Sequence, residues 1–312
     1  MTIVQLEYLV ALDTYRHFAT AAQHCFVTQP TLSIQVQKLE EELGIKLFDR
    51  SKQPVIPTEI GDIIIRQARV ILRELQKTKE VVDEYKGVIA GEIRIGIIPT
   101  LAPYLLPLFL ENFIQKYPQV KLKVRELTTE NLVSKLHKDL IDVGIVVTPL
   151  QDERLFEQPL FYEEFVGYVS KSEAAYQKEY ILSEDIDLNR LWLLEEGHCI
   201  RGQMLNICNL RKQSTNIRNF EYESGSIETL KRMVEQYGGV TILPELSLKH
   251  LSEIQGLQIR YFQPPVPVRE VSLVTHRHHL KRGLIAAMQT EILAVIPEKM
   301  KHPQQRKVVE LE

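Results

Sequence analysis

The sequence predicts an α/β protein with a small helical head, one long helix and a larger body of alternating strands and helices, and three observations predict it. Short apolar stripes at helical spacing, broken by tight turns, fill the first sixty residues. A 3.5-residue apolar period then continues to residue 85. From residue 91 onward, alternating apolar strands take turns with amphipathic helices, the pattern of α/β layers around a parallel sheet. At 312 residues the chain has room for two or three cores, and 44% hydrophobic with 25% charged residues is ordinary for a globular protein.

In the head, Leu6, Leu9 and Val10 share one helical face, and Phe18, Ala21, Ala22 and Cys25 follow at i, i+3, i+4 and i+7. Cys25 therefore falls on a core face. After the turn Phe26-Val27-Thr28 a third helix starts, with Thr28 as N-cap and Pro30 in the first turn, where its missing N–H is harmless. Leu32, Val36, Leu39 and Leu43 mark its buried side, and Gly44 ends it. Gln29, Thr31, Ser33, Gln35, Gln37 and Lys38 are left mostly on other faces. Such groups suit base edges and phosphates in a major groove, as on the second helix of a helix-turn-helix. Leu47-Phe48-Asp49-Arg50 and the hairpin from Lys52 to Pro57 read as a wing, with Arg50 set to contact phosphate.

Ile64, Ala68, Ile71, Leu75, Thr78, Val82 and Tyr85 recur in steps of four and three. A helix of this kind spans about 42 Å and asks for a partner helix, expected to be its copy in a second chain. Gly87 and Gly91 punctuate its end. In the body, Ile93, Ile95 and Ile97 alternate as a strand, Leu105, Leu106, Phe109 and Phe113 form a helical stripe, and Val120, Leu122 and Val124 alternate again. A helix through Leu132 to Leu140 leads to the strand Val143 to Val147. Further strands are expected at Phe165 to Val169, Asn216 to Tyr222, Gly238 to Pro244 and Val271 to Thr275, with helices at Ile227 to Glu235 and Leu280 to Val295. The charged tail after Pro297 is expected to fray.

A net charge of −3 does not announce nucleic-acid binding, and residues 1–90 hold eleven Lys or Arg against twelve Asp or Glu, so any DNA contact must come from a local surface. The first residues carry no cationic segment followed by an apolar run, and no stretch approaches the ~20 apolar residues of a membrane span, which predicts a cytoplasmic protein.

Cys199 and Cys208 are two of only three cysteines. Cys199 lies between His198 and Arg201, cations that favour the reactive thiolate, while Glu195 and Glu196 oppose them. A second thiol nine positions on can convert a sulfenic acid into a disulfide, and in a reducing compartment such a bond is regulatory rather than structural. Across a continuous helix the two Cα atoms would stand roughly 13 Å apart, against the ~4.4–6.8 Å of a disulfide, so bonding would remodel the segment. Free cysteines also pack as small hydrophobes, and from these residues alone both readings stand.

Three stretches, Phe18-Ala19-Thr20-Ala21-Ala22, Thr28-Gln29-Pro30-Thr31-Leu32-Ser33-Ile34-Gln35-Val36 and Leu39-Glu40-Glu41-Glu42-Leu43-Gly44-Ile45-Lys46-Leu47-Phe48-Asp49-Arg50, are joined by Thr58-Glu59-Ile60-Gly61. With these residues the chain resembles the LysR-type transcriptional regulators over almost its whole length. The body resembles the peroxide-sensing branch of that family through Ile98-Pro99-Thr100, Ala102-Pro103-Tyr104-Leu105-Leu106-Pro107, Glu195 to Arg201 with Cys208, and Gly238 to Pro244.

The resemblance implies a winged helix-turn-helix at 1–58, a linker and dimerisation helix at 59–88, and a two-lobed effector domain like periplasmic binding proteins at 91–312. Lobe I would cover about 91–162 and 267–300, and lobe II about 163–266. It implies promoter DNA as partner, read by Gln29, Pro30, Thr31, Ser33, Gln35, Lys38 and Arg50, and dimers or tetramers joined through Ile64, Ala68, Ile71, Leu75 and Val82. Hydrogen peroxide would be the signal, with Cys199 peroxidatic and Cys208 resolving. Thr100, Thr129, His198, Arg201, Asp142 and Arg269 would surround the peroxide. RNA polymerase and a thiol reductant are implied as further partners, controlling oxidative-stress genes, with no cofactor and no metal.

Two rival readings remain. A regulator of the same build could sense a metabolite between the lobes, with the cysteines incidental. An enzyme such as a thiol peroxidase is opposed by the Cys-x8-Cys spacing, which is not a Cys-x-x-Cys motif, and by the reading head. His276, His278 and His279 after a strand read as a solvated turn rather than a metal site.

Overall fold

The computed structural model describes residues 1–85, 89–194, 199–207, 226–249, 251–277, 281–302 and 306–309, with the backbone alone described at 76, 77, 79–85, 188, 199, 200 and 306. The chain divides into two compact units, Met1–Val88 and Ile89–Glu312.

In the first unit, helix α1 (Ile3–Tyr15) opens with a capping box in which Thr2 and Gln5 satisfy each other's backbone N–H groups. Helix α2 (Phe18–His24) and helix α3 (Gln29–Leu43) follow, α3 capped by Thr28 and closed by Gly44 at φ 69°. Leu9, Leu12, Ala21, Leu32, Val36 and Leu39 form the core among them. Strands β1 (Phe48–Asp49) and β2 (Ile56–Pro57) pair antiparallel as the wing.

Helix α4 (Glu59–Tyr85) starts under the wing, where Thr58 Oγ1 accepts from Gly61 N at 3.0 Å and Thr58 N donates to Leu47 O at 3.0 Å. A Cβ at Gly61 would stand 2.0 Å from Leu47 O, so this close approach requires glycine. Further along, Arg69 of α4 donates to Asp13 Oδ2 at 2.8 Å and to Thr14 Oγ1 at 3.0 Å, bonding α4 to α1 in a nearly dry contact.

The second unit begins with β3 (Gly91–Ile97), α5 (Ala102–Lys116), β4 (Val120–Glu126), α6 (Thr129–His137) and β5 (Val143–Thr148). Next come the long β6 (Leu155–Val169), the short β7 (Tyr180–Ile181), α7 (Cys199–Ile207) and α8 (Ile227–Tyr237). The unit ends with β8 (Val240–Pro244), α9 (Glu253–Gly256), β9 (Ile259–Phe262), β10 (Val266–His276), α10 (Arg282–Val295) and β11 (Arg306–Val308).

The sheet order is β4-β3-β5-β10-β6-β9-β7, with β8 on β6 and β11 on β10. Only β3, β4 and β5 form the expected parallel core. The sheet is mixed because β10 returns between β5 and β6 and runs antiparallel to both. Strand β6 pairs with β10 through Glu164 and then with β8 and β9 from Phe165 onward, so it serves both halves of the unit. Lobe boundaries expected at 162/163 and 266/267 thus fall inside β6 and at the start of β10.

The expected fraying after Pro297 is corrected. Met300 is buried, β11 adds in parallel to the edge of β10, and Val309 is buried with its N–H on Val268 O at 2.8 Å. Apolar residues spaced through a charged run let this tail pack. The strand expected at Asn216 to Tyr222 lies outside the described residues. Among the described residues no helix is long and apolar enough to cross a membrane.

Candidate functional site

Two regions carry the expected functional residues. On α3, Gln29, Pro30, Thr31 and Lys38 are exposed, while Ser33 and Gln35 are half-buried. The Thr31 amide donates to the Thr28 cap, and the two hydroxyls are 2.8 Å apart, which presents the first turn as a fixed polar surface. Gln35 accepts from Gln5 Nε2 at 3.3 Å, which ties it toward α1.

Arg50, expected from the sequence to contact phosphate, is drawn into an ion pair on its own unit while its side chain stays 36% exposed. Its guanidinium donates to Glu40 Oε2 at 2.9 Å and lies 5.3 Å from the centre of the Phe18 ring. The physical reason is Glu40, only 2% exposed, whose Oε1 accepts the Leu47 and Phe48 N–H groups at 2.8 and 3.3 Å. Sequence reasoning passed over Glu40, although a carboxylate four residues after Val36 on the buried side of α3 demands partners.

The apolar stripe of α4 divides. Ala68 is buried in the core of its own unit and Ile64 is half-buried against it, whereas Ile71 and Leu75 are exposed. The side chain of Val82 lies outside the described residues. Exposed Ile60 and Ile63 extend the apolar surface toward the start of the helix. Cys25 is half-buried against the same core, and burial, then Glu7, raises its thiol pKa, in keeping with packing.

In the second unit, Thr100 and Thr129 both follow the C-terminal ends of parallel strands, β3 and β4, where open α/β sheets bind ligands. Arg269 and Glu163 are cross-strand partners at the place where β6 leaves β10. Both are fully buried, and the guanidinium meets Glu163 Oε2 through Nε at 2.8 Å and Nη2 at 2.7 Å. Its remaining bonds go to Thr100, from Nη1 to Oγ1 at 3.0 Å and from Nη2 to the carbonyl at 3.2 Å. Glu163 Oε1 accepts from Leu246 N at 2.7 Å. Burial pushes the Glu163 carboxyl up, against the pull of Arg269. Thr129 Oγ1 is buried and has no hydrogen-bond partner among the described residues.

Asp142 does not join this group. It precedes β5 and accepts from the Arg94 backbone at 2.7 Å and side chain at 2.7 Å and from Lys281 at 2.8 Å. Asp142 lies beside Arg94, ahead of the Val143–Ile95 pair of β5 and β3, whereas Thr100 follows the C-terminal end of β3, so Asp142 sits toward the opposite end of the strands.

Arg201, on α7, donates to Leu194 O at 2.8 Å. His198 and Cys208 lie outside the described residues, as does the side chain of Cys199. The backbone of Cys199 nonetheless opens α7, and a helix N-terminus favours a thiolate. With α7 intact, Cys199 and Ile207 are about 12 Å apart at their Cα atoms. One further peptide spans ~3.8 Å, so Cys199 and Cys208 cannot approach closer than about 8 Å, beyond disulfide range, until the helix opens. Sequence reasoning also passed over Gln203, fully buried on α7, which donates to Val309 O at 2.8 Å. Among the described residues no group of three or more His, Cys, Asp or Glu could hold a metal ion; His278 and His279 lie outside them.

The family model for the bacterial regulatory helix-turn-helix protein, lysR family, matches residues 3–62, and that for the LysR substrate binding domain matches 86–296. The chain belongs to the LysR family. Among its LysR relatives, the hydrogen peroxide-inducible genes activator of Pectobacterium carotovorum is 35% identical over 88% of this chain and 90% of its own length. The DNA-binding transcriptional dual regulator OxyR of Escherichia coli is 34% identical over 88% and 89%. The full-length OxyR C199D structure from Pseudomonas aeruginosa matches with a TM-score of 0.78 at 33% identity, covering 95% of this chain and 99% of that one. This LysR-family chain is thus a transcription regulator resembling OxyR, not an enzyme, and its winged helix-turn-helix is the family's DNA-binding head.

Proposed function

We propose that the protein is a cytoplasmic, peroxide-responsive regulator of promoter DNA that switches by a reversible Cys199–Cys208 disulfide. The observation that carries the reading is the start of α7 at Cys199 in a chain similar to peroxide-inducible activators. Peroxide oxidises the Cys199 thiolate to sulfenic acid, and the Cys208 thiol condenses with it, releasing water. Thr100, Thr129, Arg201 and His198 form the pocket, with Arg269 behind Thr100. Because the bond cannot close across an intact α7, oxidation unwinds the helix and repacks the effector unit.

Loop closure over ten residues corresponds to roughly 2.7 kcal/mol in the simplest chain model, about a hundredfold shift between two packings. The oligomer, joined through Ile71 and Leu75 of α4, carries that change to the exposed turn of α3, where Gln29, Pro30, Thr31 and Lys38 meet the groove with Ser33 beside them. RNA polymerase and a thiol reductant complete the cycle. The test is promoter footprinting before and after stoichiometric peroxide, with Cys199→Ser alongside. The wild-type footprint should shift and that of the variant should not; a variant footprint that still shifts overturns the Cys199 switch.

A further inference from the structure

Thr100 is held from behind by a chain of bonds that the proposed reaction has not yet used. Glu163 Oε2 holds the Nε and Nη2 edge of the Arg269 guanidinium, and Arg269 in turn donates to Thr100 Oγ1 and to the Thr100 carbonyl. A threonine hydroxyl has one proton and two acceptor sites. With Arg269 filling an acceptor site, the proton of Thr100 is left to point elsewhere, and bonds in such a chain polarise one another in a dry interior. Glu163 is itself held in place by the Leu246 N–H, and the pair faces each other across the ladder where the two long strands part. Thr129 supplies a second buried hydroxyl, without a partner among the described residues.

We infer that Glu163 is a positioning residue for peroxide reduction, acting through Arg269 to hold Thr100 as a hydrogen-bond donor toward the departing oxygen. The inference rests on the peroxide reading above. In the step concerned, the Cys199 thiolate attacks one peroxide oxygen, the S–O bond forms as O–O breaks, and sulfur loses two electrons while the second oxygen leaves as hydroxide. Hydroxide then takes a proton from solvent. The Thr100 O–H stabilises the charge growing on that oxygen and keeps its own proton.

The experiment measures the second-order rate of Cys199 sulfenic-acid formation in the full-length protein, with melting temperature and DNA binding of the reduced form as checks on folding. Glu163→Gln and Thr100→Val should each slow oxidation at least about tenfold, the lower end of what one hydrogen bond to a charged group contributes. The double variant should be no slower than Thr100→Val, whereas Thr100→Ser, which keeps the hydroxyl, should restore sensitivity to Glu163→Gln. If Glu163→Gln does not fold, Glu163→Asp, which keeps the charge but withdraws it by one methylene, is held to the same pattern. A wild-type rate in the Glu163 variants, or losses that multiply in the double variant, overturns the positioning role alone. A wild-type Cys199 that ignores peroxide overturns both this role and the reading beneath it.

Discussion

Replacing Glu40 by Ala should unlatch the wing from the reading helix. The substitution leaves the buried Leu47 and Phe48 N–H groups without their acceptor. Each orphaned donor costs about 1–3 kcal/mol. The ion pairs add little, because the side chains of Arg50 and Lys46 are 36% and 72% exposed and pairs of that kind contribute at most about 1 kcal/mol. The expected loss is therefore about 4 kcal/mol, a large part of what a small domain possesses. Glu40→Gln keeps an oxygen for both amides and should lose only about 1 kcal/mol. Urea unfolding of the full-length protein, read by hydrogen exchange at Leu47 and Phe48, separates the two. Equal effects of Ala and Gln, or an Ala variant within about 1 kcal/mol of wild type, would refute the reasoning.

Ending the chain after His302 removes β11 and the Val309 carbonyl that holds Gln203, so amides of α7 should exchange faster and Cys199–Cys208 bridging should accelerate about tenfold in quenched peroxide time courses. Leu75→Glu puts a charge on the exposed apolar stripe of α4 and should weaken self-association at least tenfold in sedimentation velocity, with no loss of helix content. Burial raises the Asp142 carboxyl, but bonds from Arg94 and Lys281 outweigh it and hold the group below its ordinary 3.8. Its stabilisation is present above pH 3.8 and is lost as pH falls toward the folded value. Unfolding free energy should drop over that window, and Asp142→Asn should flatten the drop.

The head was largely legible because its cues are local: the Thr28 cap, Pro30, Gly44 and the apolar spacing of Leu32, Val36 and Leu39 each act within a turn or two of themselves. The partners of Arg50 and Gln35 were not, since a side chain's choice between solvent and a neighbour depends on what the fold brings beside it. The same holds for Arg269 and Glu163, which are 106 residues apart in sequence and meet only through the register of β6 and β10. Asp142 was misplaced because a residue beside a strand can serve either end of it, and only the pairing with Arg94 decides which. The tail after Pro297 misled by composition: its charges are frequent, but Met300 is buried in the core and Val309 finds the edge of β10.

Peptide mapping of the full-length protein after stoichiometric peroxide, with hydrogen exchange followed across α7 in the same samples, tests the central claim most directly. The account predicts a Cys199–Cys208 linkage appearing together with loss of amide protection from Cys199 to Ile207, both reversed by a thiol reductant. DNA binding that still answers to peroxide while the two cysteines stay unlinked and α7 stays protected would contradict it.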